Sequence, residues 1–532
     1  MEINAFQWVV LIAIYALLLK KFFKLLRLWY KGSKIPGSSA CSHCPKNLTE
    51  LLSEEHKKYG SIVKLWLGPT QLLVSVNDPV LIRAILEKAE DKLPFTGKAF
   101  RLAFGPSNLF ASSSEKVRKR RELLTTELNE RLLENNYLIT KVVDIIMDKL
   151  ENIKARGSLD SRLVSQHMAF SIMGSSFFGD GFLTWPKAAI YEELLMLTAK
   201  DACFWASYNV TPFWKQGFWK YQCLCKRLKC LTQDILQHCK KNCKLFHHID
   251  QNVYGEKSNI KTVTADGAQC CSGADSRDCF FFHKLNDNHT ATEEPSSNIM
   301  RVIFHGCQQI EALIANVLTM LAMHPEIQDK VYSEITMAMK QQSKYEEQDV
   351  YRMPLLLATV FESARLMPSG SLLQRCPLKH DLSFENGVTI PAGAILAVPV
   401  NLVQTDDSNW GSDATDFNPY RFLSNVRKEP DVVIDVPFTG SGEESTKPGF
   451  SSLVLKDPNE NAAFLPFGSG RRTCVGQKFV VQVVASLFAS LLKKYEIRPN
   501  SGSEVEVKLS SKNHHLLQHL PCSSIVFVSR DS

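Results

Sequence analysis

Regular cysteine spacing is missing from this 532-residue sequence, whose 15 cysteines are scattered from Cys41 to Cys522. That irregularity argues against a disulfide scaffold and points to mostly free thiols in a reducing compartment. Charge of one sign is also scarce. The net charge of +7 is small for the length and its basic residues cluster locally, so no nucleic-acid partner is expected. Cations are absent ahead of the first apolar run, Ile3 to Leu19, which only Asn4 and Gln7 interrupt and only the charged Glu2 precedes. A cleaved secretory signal carries its cations in front of such a run. Here Lys20, Lys21, Lys24, Arg27 and Lys31 follow it, which predicts a retained anchor over 1–31, with the N-terminus outside and the remainder in the cytosol. An interfacial helix continuing through Phe22, Phe23, Leu25, Leu26 and Trp29 is compatible with the same pattern. The sequons at Asn47, Asn209 and Asn288 would then go unused.

What is present is globular in composition, 45 % hydrophobic and 22 % charged, and long enough for one large helical domain behind a short anchor. Lys34-Ile-Pro-Gly37 and the serines after it read as a hinge over 32–46. Cys41 and Cys44 have zinc-knuckle spacing, but no second pair follows at a useful distance, so a loop is expected. From Asn47 the pattern predicts a helix ending at Tyr59-Gly60, strands over Ile62 to Leu67 and Gln71 to Val76, and a helix opened by Asp78-Pro79. Cys239, Cys243 and His247 share a helical face and read as thiols beside a surface histidine. Asn252 to Ser297 and Leu423 to Ala463 are polar and read as surface insertions.

The stretch Phe464 to Val480, FLPFGSGRRTCVGQKFV, holds Phe467, Gly470, Arg472, Cys474 and Gly476 in the order Phe-x-x-Gly-x-Arg-x-Cys-x-Gly, ahead of an apolar helical run. Two glycines let the backbone approach a flat ligand closely. Cys474 falls at a helix N-terminus, where the dipole favours a thiolate able to ligate haem iron. Arg472 suits a propionate carboxylate, and Phe467 is placed to cover the sulfur. This stretch resembles the cysteine-ligand signature of cytochrome P450, the haem-thiolate monooxygenases, in their membrane-anchored microsomal form, plants included. The resemblance implies the cytochrome P450 fold, mainly α with small β-sheets (α+β), as one helical haem domain over 47–532.

The resemblance extends along the chain. In Lys116-Val-Arg-Lys-Arg-Arg121 the family's tryptophan is replaced by Val117, while Arg121 keeps the propionate arginine, and the other cations form part of a docking face for an acidic electron donor. Phe204 to Tyr221 packs eight aromatics where the family places its substrate entrance, and reads either as a surface dipping into lipid or as a core helix pair around Pro212. Glu362 and Arg365, three apart on a helix, resemble with Arg421 the family's buried structural triad. Arg375 fits a further propionate arginine. Asn386-Gly387 marks a hairpin turn into Val388 to Val400.

Asn298 to Met323 matches the family's central helix, whose middle normally reads Ala-Gly-x-Asp/Glu-Thr and delivers protons through its acid and threonine. Here those positions are His305, Gly306, Cys307, Gln308 and Gln309. Gly306 keeps the expected oxygen groove, but an amide has no acidic proton to pass on. Glu311 points away from Gln309, and Thr319 lies roughly 15 Å further along. His305 reads either as a distal donor, acceptor or iron ligand, or as a hydrogen-bonded core histidine. The resemblance implies haem b, electrons from NADPH through a reductase, a lipophilic small-molecule substrate, membrane lipid as a partner, and the endoplasmic reticulum as location. Two alternatives stand beside monooxygenation: isomerisation or dehydration of a substrate hydroperoxide, and a non-catalytic haem-binding relative. Substrate contacts are expected from Phe95 to Phe110, His305, Ser369 to Leu373, and the turn at His515 and Leu516.

Overall fold

The computed structural model describes residues 5–38, 48–89, parts of 118–151, 159–206 apart from 179–181 and 183–184, 214–242, 295–340, 350–425 apart from 376–377, 379 and 385–386, 453–500, and 524–530. Helix α1 (Ala5–Ser33) exposes Trp8, Val9, Ile12, Tyr15, Leu17 and Phe23. Among the described residues no single helix is long and apolar enough to cross a membrane.

The far end of α1 is docked. Leu28 is buried, the Trp29 ring stacks on Trp66 at 4.1 Å, its Nε1 donates to Pro69 O at 3.0 Å, and Lys31 pairs with Asp381. Ile35 is buried just beyond, and β1 (Gly37–Ser38) runs parallel to β2 (Ile62–Trp66). Gly37 takes φ of +127°, and a Cβ there would lie 2.3 Å from Lys64 O. Within the hinge expected over 32–46, Ile35 is buried and residues 37–38 pair with β2. Residues 39–46, with Cys41 and Cys44, lie outside the described residues.

The expected helix–strand–strand–helix order follows: α2 (Leu48–Tyr59), β2, β3 (Leu72–Val76) and α3 (Pro79–Lys88). Asp78 caps α3 by accepting from Leu81 N at 2.8 Å, with proline in the first turn, where its missing N–H costs nothing. Every residue of β2 and β3 is buried, as in a sheet covered on both faces.

The helical layer comprises α4 (Ser161–Phe178, after the short β4, Leu159–Asp160), α5 (Ala188–Ala206), α6 (Gln216–Asn242), α7 (Pro295–Met323), α8 (Pro325–Lys340) and α9 (Pro354–Leu366). Strands β5 (Leu372–Arg375), β6 (Leu382–Ser383), β7 (Thr389–Ile390) and β8 (Ile395–Pro399) lead to the short α10 (Val400–Gln404) and α11 (Asp407–Trp410). β9 (Leu423–Asn425), β10 (Leu453–Leu455), α12 (Gln477–Lys494), β11 (Tyr495–Pro499) and β12 (Ser524–Ser529) complete the order.

The main sheet is ordered β1-β2-β3-β8-β5, with β3 parallel to β8 and β8 antiparallel to β5. Helix α7 runs through the largest apolar cluster and packs on α4, α6, α9 and α12. Residues 367–371 connect α9 to β5, the edge strand of this sheet, and Met367 O in that connection accepts from Asn316 Nδ2 of α7.

Two insertions were expected, and each has an ordered margin. The first stops before Pro295, which opens α7. The second has paired ends, since β9 and β10 form an antiparallel ribbon; 426–452 lie outside the described residues. In the aromatic segment Phe218 and Tyr221 are buried whereas Trp214 and Trp219 are exposed, so it is divided between core and surface. Cys243 and His247, like the loops 95–110 and around 515, lie outside the described residues.

Candidate haem site

The cysteine loop closes on itself through Cys474 N donating to Phe467 O at 2.8 Å. Cys474 is half-buried and lies two residues before Gly476, the N-cap of α12. Its thiol is thus near the positive end of that helix. Phe467 is half-buried, its ring 6.2 Å from Phe464, which joins Phe361 and Phe422 in an aromatic cluster. Gly470 takes φ of +67°, and a Cβ there would meet Leu86 O at 2.5 Å. The close approach expected of Gly470 is therefore made to the last turn of α3. A Cβ at Gly476 would be 3.5 Å from Leu128 Cδ1, an ordinary contact.

Arg121 reaches this loop from 352 residues away, its Nη2 donating to Thr473 O at 2.6 Å. Burial, followed by repulsion from Arg472, pushes its guanidinium down to about 10, with Cys474 opposing. Arg472 is buried as well. Arg375, fully buried at the end of β5, donates from Nε to Ala89 O at 3.1 Å and from Nη1 to Gln374 O at 3.1 Å. Two cations held together in low dielectric beside a thiol match an iron-bearing ligand with two carboxylates, which would offset both burial and repulsion. The residues fit haem.

Glu362 and Arg365 lie at i and i+3 on α9, so their side chains meet on one face, both buried. Arg365 clasps Glu362 through Nε at 2.6 Å and Nη2 at 2.8 Å, and Arg421 donates to the same carboxylate at 2.9 Å. The expected triad is thus assembled. Asn418 N supplies a further bond to Glu362 at 2.9 Å, while Arg365 also reaches Ala414 O at 2.7 Å and stacks over the Trp410 ring at 4.9 Å. Sequence reasoning missed Gln404. Its Nε2 donates to Arg365 O at 2.6 Å and its Oε1 accepts from Leu465 N at 2.9 Å, tying the triad to the cysteine loop. No motif marks this glutamine; the signal is its place at the end of an apolar strand-to-helix run.

On α7, every residue from Val302 to Ala322 is buried except His305, Gly306, Gln308 and Gln309. Side chains four apart share a helix face, so His305 and Gln309 open to one side. Gly306 does something different from what was expected. A Cβ on it would lie 2.3 Å from Met173 Cε of α4, so the missing side chain serves helix–helix contact, and only backbone is left to line a groove. Cys307 faces α4 too, its Sγ 4.0 Å from Ala169 O. Glu311 turns to Arg162 of α4 at 3.7 Å, as its spacing from Gln309 predicted, and burial raises its carboxyl to about 7. Gln309 accepts a hydrogen bond from Ser369 Oγ.

A thiol-bearing loop, paired guanidiniums and a central helix opened at one turn define a haem-thiolate protein. The family model described as Cytochrome P450 matches residues 38–524, and the chain belongs to that family. It is 25 % identical over 472 residues to cytochrome P450 3A31 of Mesocricetus auratus (86 % of this chain, 83 % of that relative). Cytochrome P450 3A11 of Mus musculus is 24 % identical over 541 residues (98 % and 97 %), and cytochrome P450 734A5 of Oryza sativa subsp. japonica 24 % over 508 (89 % and 81 %). The chain is a cytochrome P450 monooxygenase, an oxidoreductase that uses haem iron bound through a cysteine thiolate, with NADPH as the indirect electron source.

Proposed function

We propose that this chain is a membrane-anchored monooxygenase that inserts one oxygen atom from O2 into a lipophilic small molecule. Cys474 would ligate the iron, covered by Phe467, with Gly470 and Gly476 shaping its loop. Arg121, Arg375 and Arg472 would hold the propionates, and Glu362, Arg365 and Arg421 tie down the segment that carries the cysteine loop. Haem bound there supplies the oxygen chemistry, its thiolate ligand favouring O–O cleavage.

The observation that carries the distal assignment is the opening in α7 at His305, Gly306, Gln308 and Gln309. The amides of Gln308 and Gln309 orient water by donating and accepting without releasing a proton. The His305 imidazole is the titratable group of that quartet and the one able to move a proton near neutral pH. Glu311 is engaged with Arg162 on the α4 side and is not part of the relay. The apolar exposed length of α1 is the anchor, in the endoplasmic reticulum membrane, and the basic run ending at Arg121 faces the reductase. Glutamines in place of an acid and an alcohol favour a second reading, isomerisation or dehydration of a substrate hydroperoxide, which needs no delivered protons. Labelled dioxygen separates the two. With NADPH and reductase, the first reading expects one atom of 18O from 18O2 in the product. Unlabelled product formed only from added hydroperoxide would replace it with the second.

A further inference from the structure

Helix α1 contains no proline and no glycine before Gly32, so nothing in its sequence kinks it between Ala5 and Lys31. Its last two turns are gripped from two sides. The β2–β3 hairpin holds Trp29, whose ring stacks on Trp66 and whose Nε1 donates to Pro69 O, and it meets Gly32, where a Cβ would lie 2.8 Å from Leu72 Cδ2. The segment 381–393 holds Arg27, Leu28 and Lys31. Asp381 Oδ2 pairs with Lys31 and, at 3.9 Å, with Arg27, while its Oδ1 accepts from Ala392 N at 2.8 Å, which fixes the carboxylate. The Lys31 ammonium, followed by the Ala392 amide, holds that carboxyl below the usual carboxylate range. Leu28 is buried, 3.8 Å from where a Cβ on Gly393 would stand. Lys64 Nζ closes the helix end by donating to Ser33 O at 3.2 Å. Arg27 and Trp29 point about 200° apart around the axis, so the two grips oppose both pivoting and rotation. Phe23 and Leu26 are exposed immediately ahead of Leu28, and no spacer separates the exposed apolar surface of α1 from the gripped turns.

We propose that this junction is a rigid strut: the tilt of α1 in lipid passes unchanged to the haem domain, which keeps one angle to the bilayer, and Trp29 and Asp381 set that angle. This rests on the reading of α1 as the membrane anchor. A flexible tether would let the domain sample many tilts, and the angle of the helix in lipid would then say nothing about the haem. Through the strut the same face of the domain is presented to lipid, which decides where a lipophilic substrate dissolved in the bilayer first meets the protein. Asp381 acts through Arg27 and Lys31 and is a positioning residue.

The test uses the haem-loaded full chain, with spin labels attached through a ketone-bearing amino acid at the exposed positions Tyr15 and Val80, which leaves the cysteines untouched. The distance between labels is measured by pulsed electron paramagnetic resonance in detergent and in lipid nanodiscs, and the haem angle by linear dichroism in oriented bilayers. The wild type is expected to give one narrow distance population and one haem angle. Trp29→Ala combined with Asp381→Ala should replace the narrow population by a broad one and abolish the dichroism, with the reduced carbon monoxide spectrum unchanged. Should that variant lose haem, Arg27→Gln with Lys31→Gln carries the same test from the α1 side. A broad population in the wild type, or a narrow one that survives the variants, overturns the proposal. A narrow population in detergent from a chain that stays out of lipid would be a failure of the anchor reading and not of the strut.

Discussion

At the scale of single residues, the buried carboxylate of Glu362 is held by partners from three places in the chain, α9, Asn418 and Arg421. It accepts from Arg365 twice, from Arg421 and from Asn418 N, and the burial of three charges is tolerable because every one is paired. Glu362→Gln keeps the shape but leaves two guanidiniums short of their counter-charge. Breaking a buried pair costs about 3–5 kcal/mol. We expect no haem-loaded protein from Glu362→Gln, measured as haem content per chain after purification, whereas Asp413→Asn, at an exposed partner of Arg421, should load haem normally. Normal loading of Glu362→Gln would show that the triad does not hold this fold. The triad was legible in sequence through the family resemblance, since a Glu–Arg pair three apart is by itself common on exposed helices. Gln404 was not, since it acts through contacts between segments far apart in the chain, and a lone glutamine carries no pattern.

At the scale of elements, one carboxylate joins two helices. Glu334 on α8 accepts from Leu355 N and Leu356 N, each at 2.9 Å, in the first turn of α9, the helix that bears Glu362 and Arg365. The helix N-terminus and both amides favour the ionised form, but burial outweighs them and raises the carboxyl to about 7 from an ordinary 4.5. The sign follows from linkage. A folded-state pKa above the unfolded one gives stability that is fully present below about 4.5 and is lost as pH rises through about 7. The loss is on the order of 3 kcal/mol for such a shift. The thermal midpoint should therefore fall between pH 5 and pH 8, beyond the change in Glu334→Gln, whose profile should be flatter; parallel profiles would remove Glu334 as the cause. Element boundaries were legible where caps or prolines mark them, as at Asp78-Pro79 and His324-Pro325. The packing role of Gly306 was not, because it depends on Met173 arriving from α4.

At the scale of the whole molecule, sequence patterns were enough for the order of segments, but not for how α1 joins the rest. A Lys-Ile-Pro-Gly stretch reads as a hinge from composition alone. Its rigidity comes from non-local contacts: Trp29 on Trp66, Ile35 in the core, and Gly37 against the Lys64 backbone. The proton path proposed at the opened turn of α7 would likewise be a property of the assembled site, with His305 and the two amides in place of an acid and an alcohol. The measurement that tests this most directly compares turnover of one dealkylation probe driven by NADPH and reductase with turnover driven by an organic hydroperoxide. The account predicts reductase-driven product in the wild type, with His305→Phe lowering that route at least tenfold and sparing the hydroperoxide route. Product from hydroperoxide alone, with the reductase route appearing only in a Gln308→Glu, Gln309→Thr variant, would contradict it.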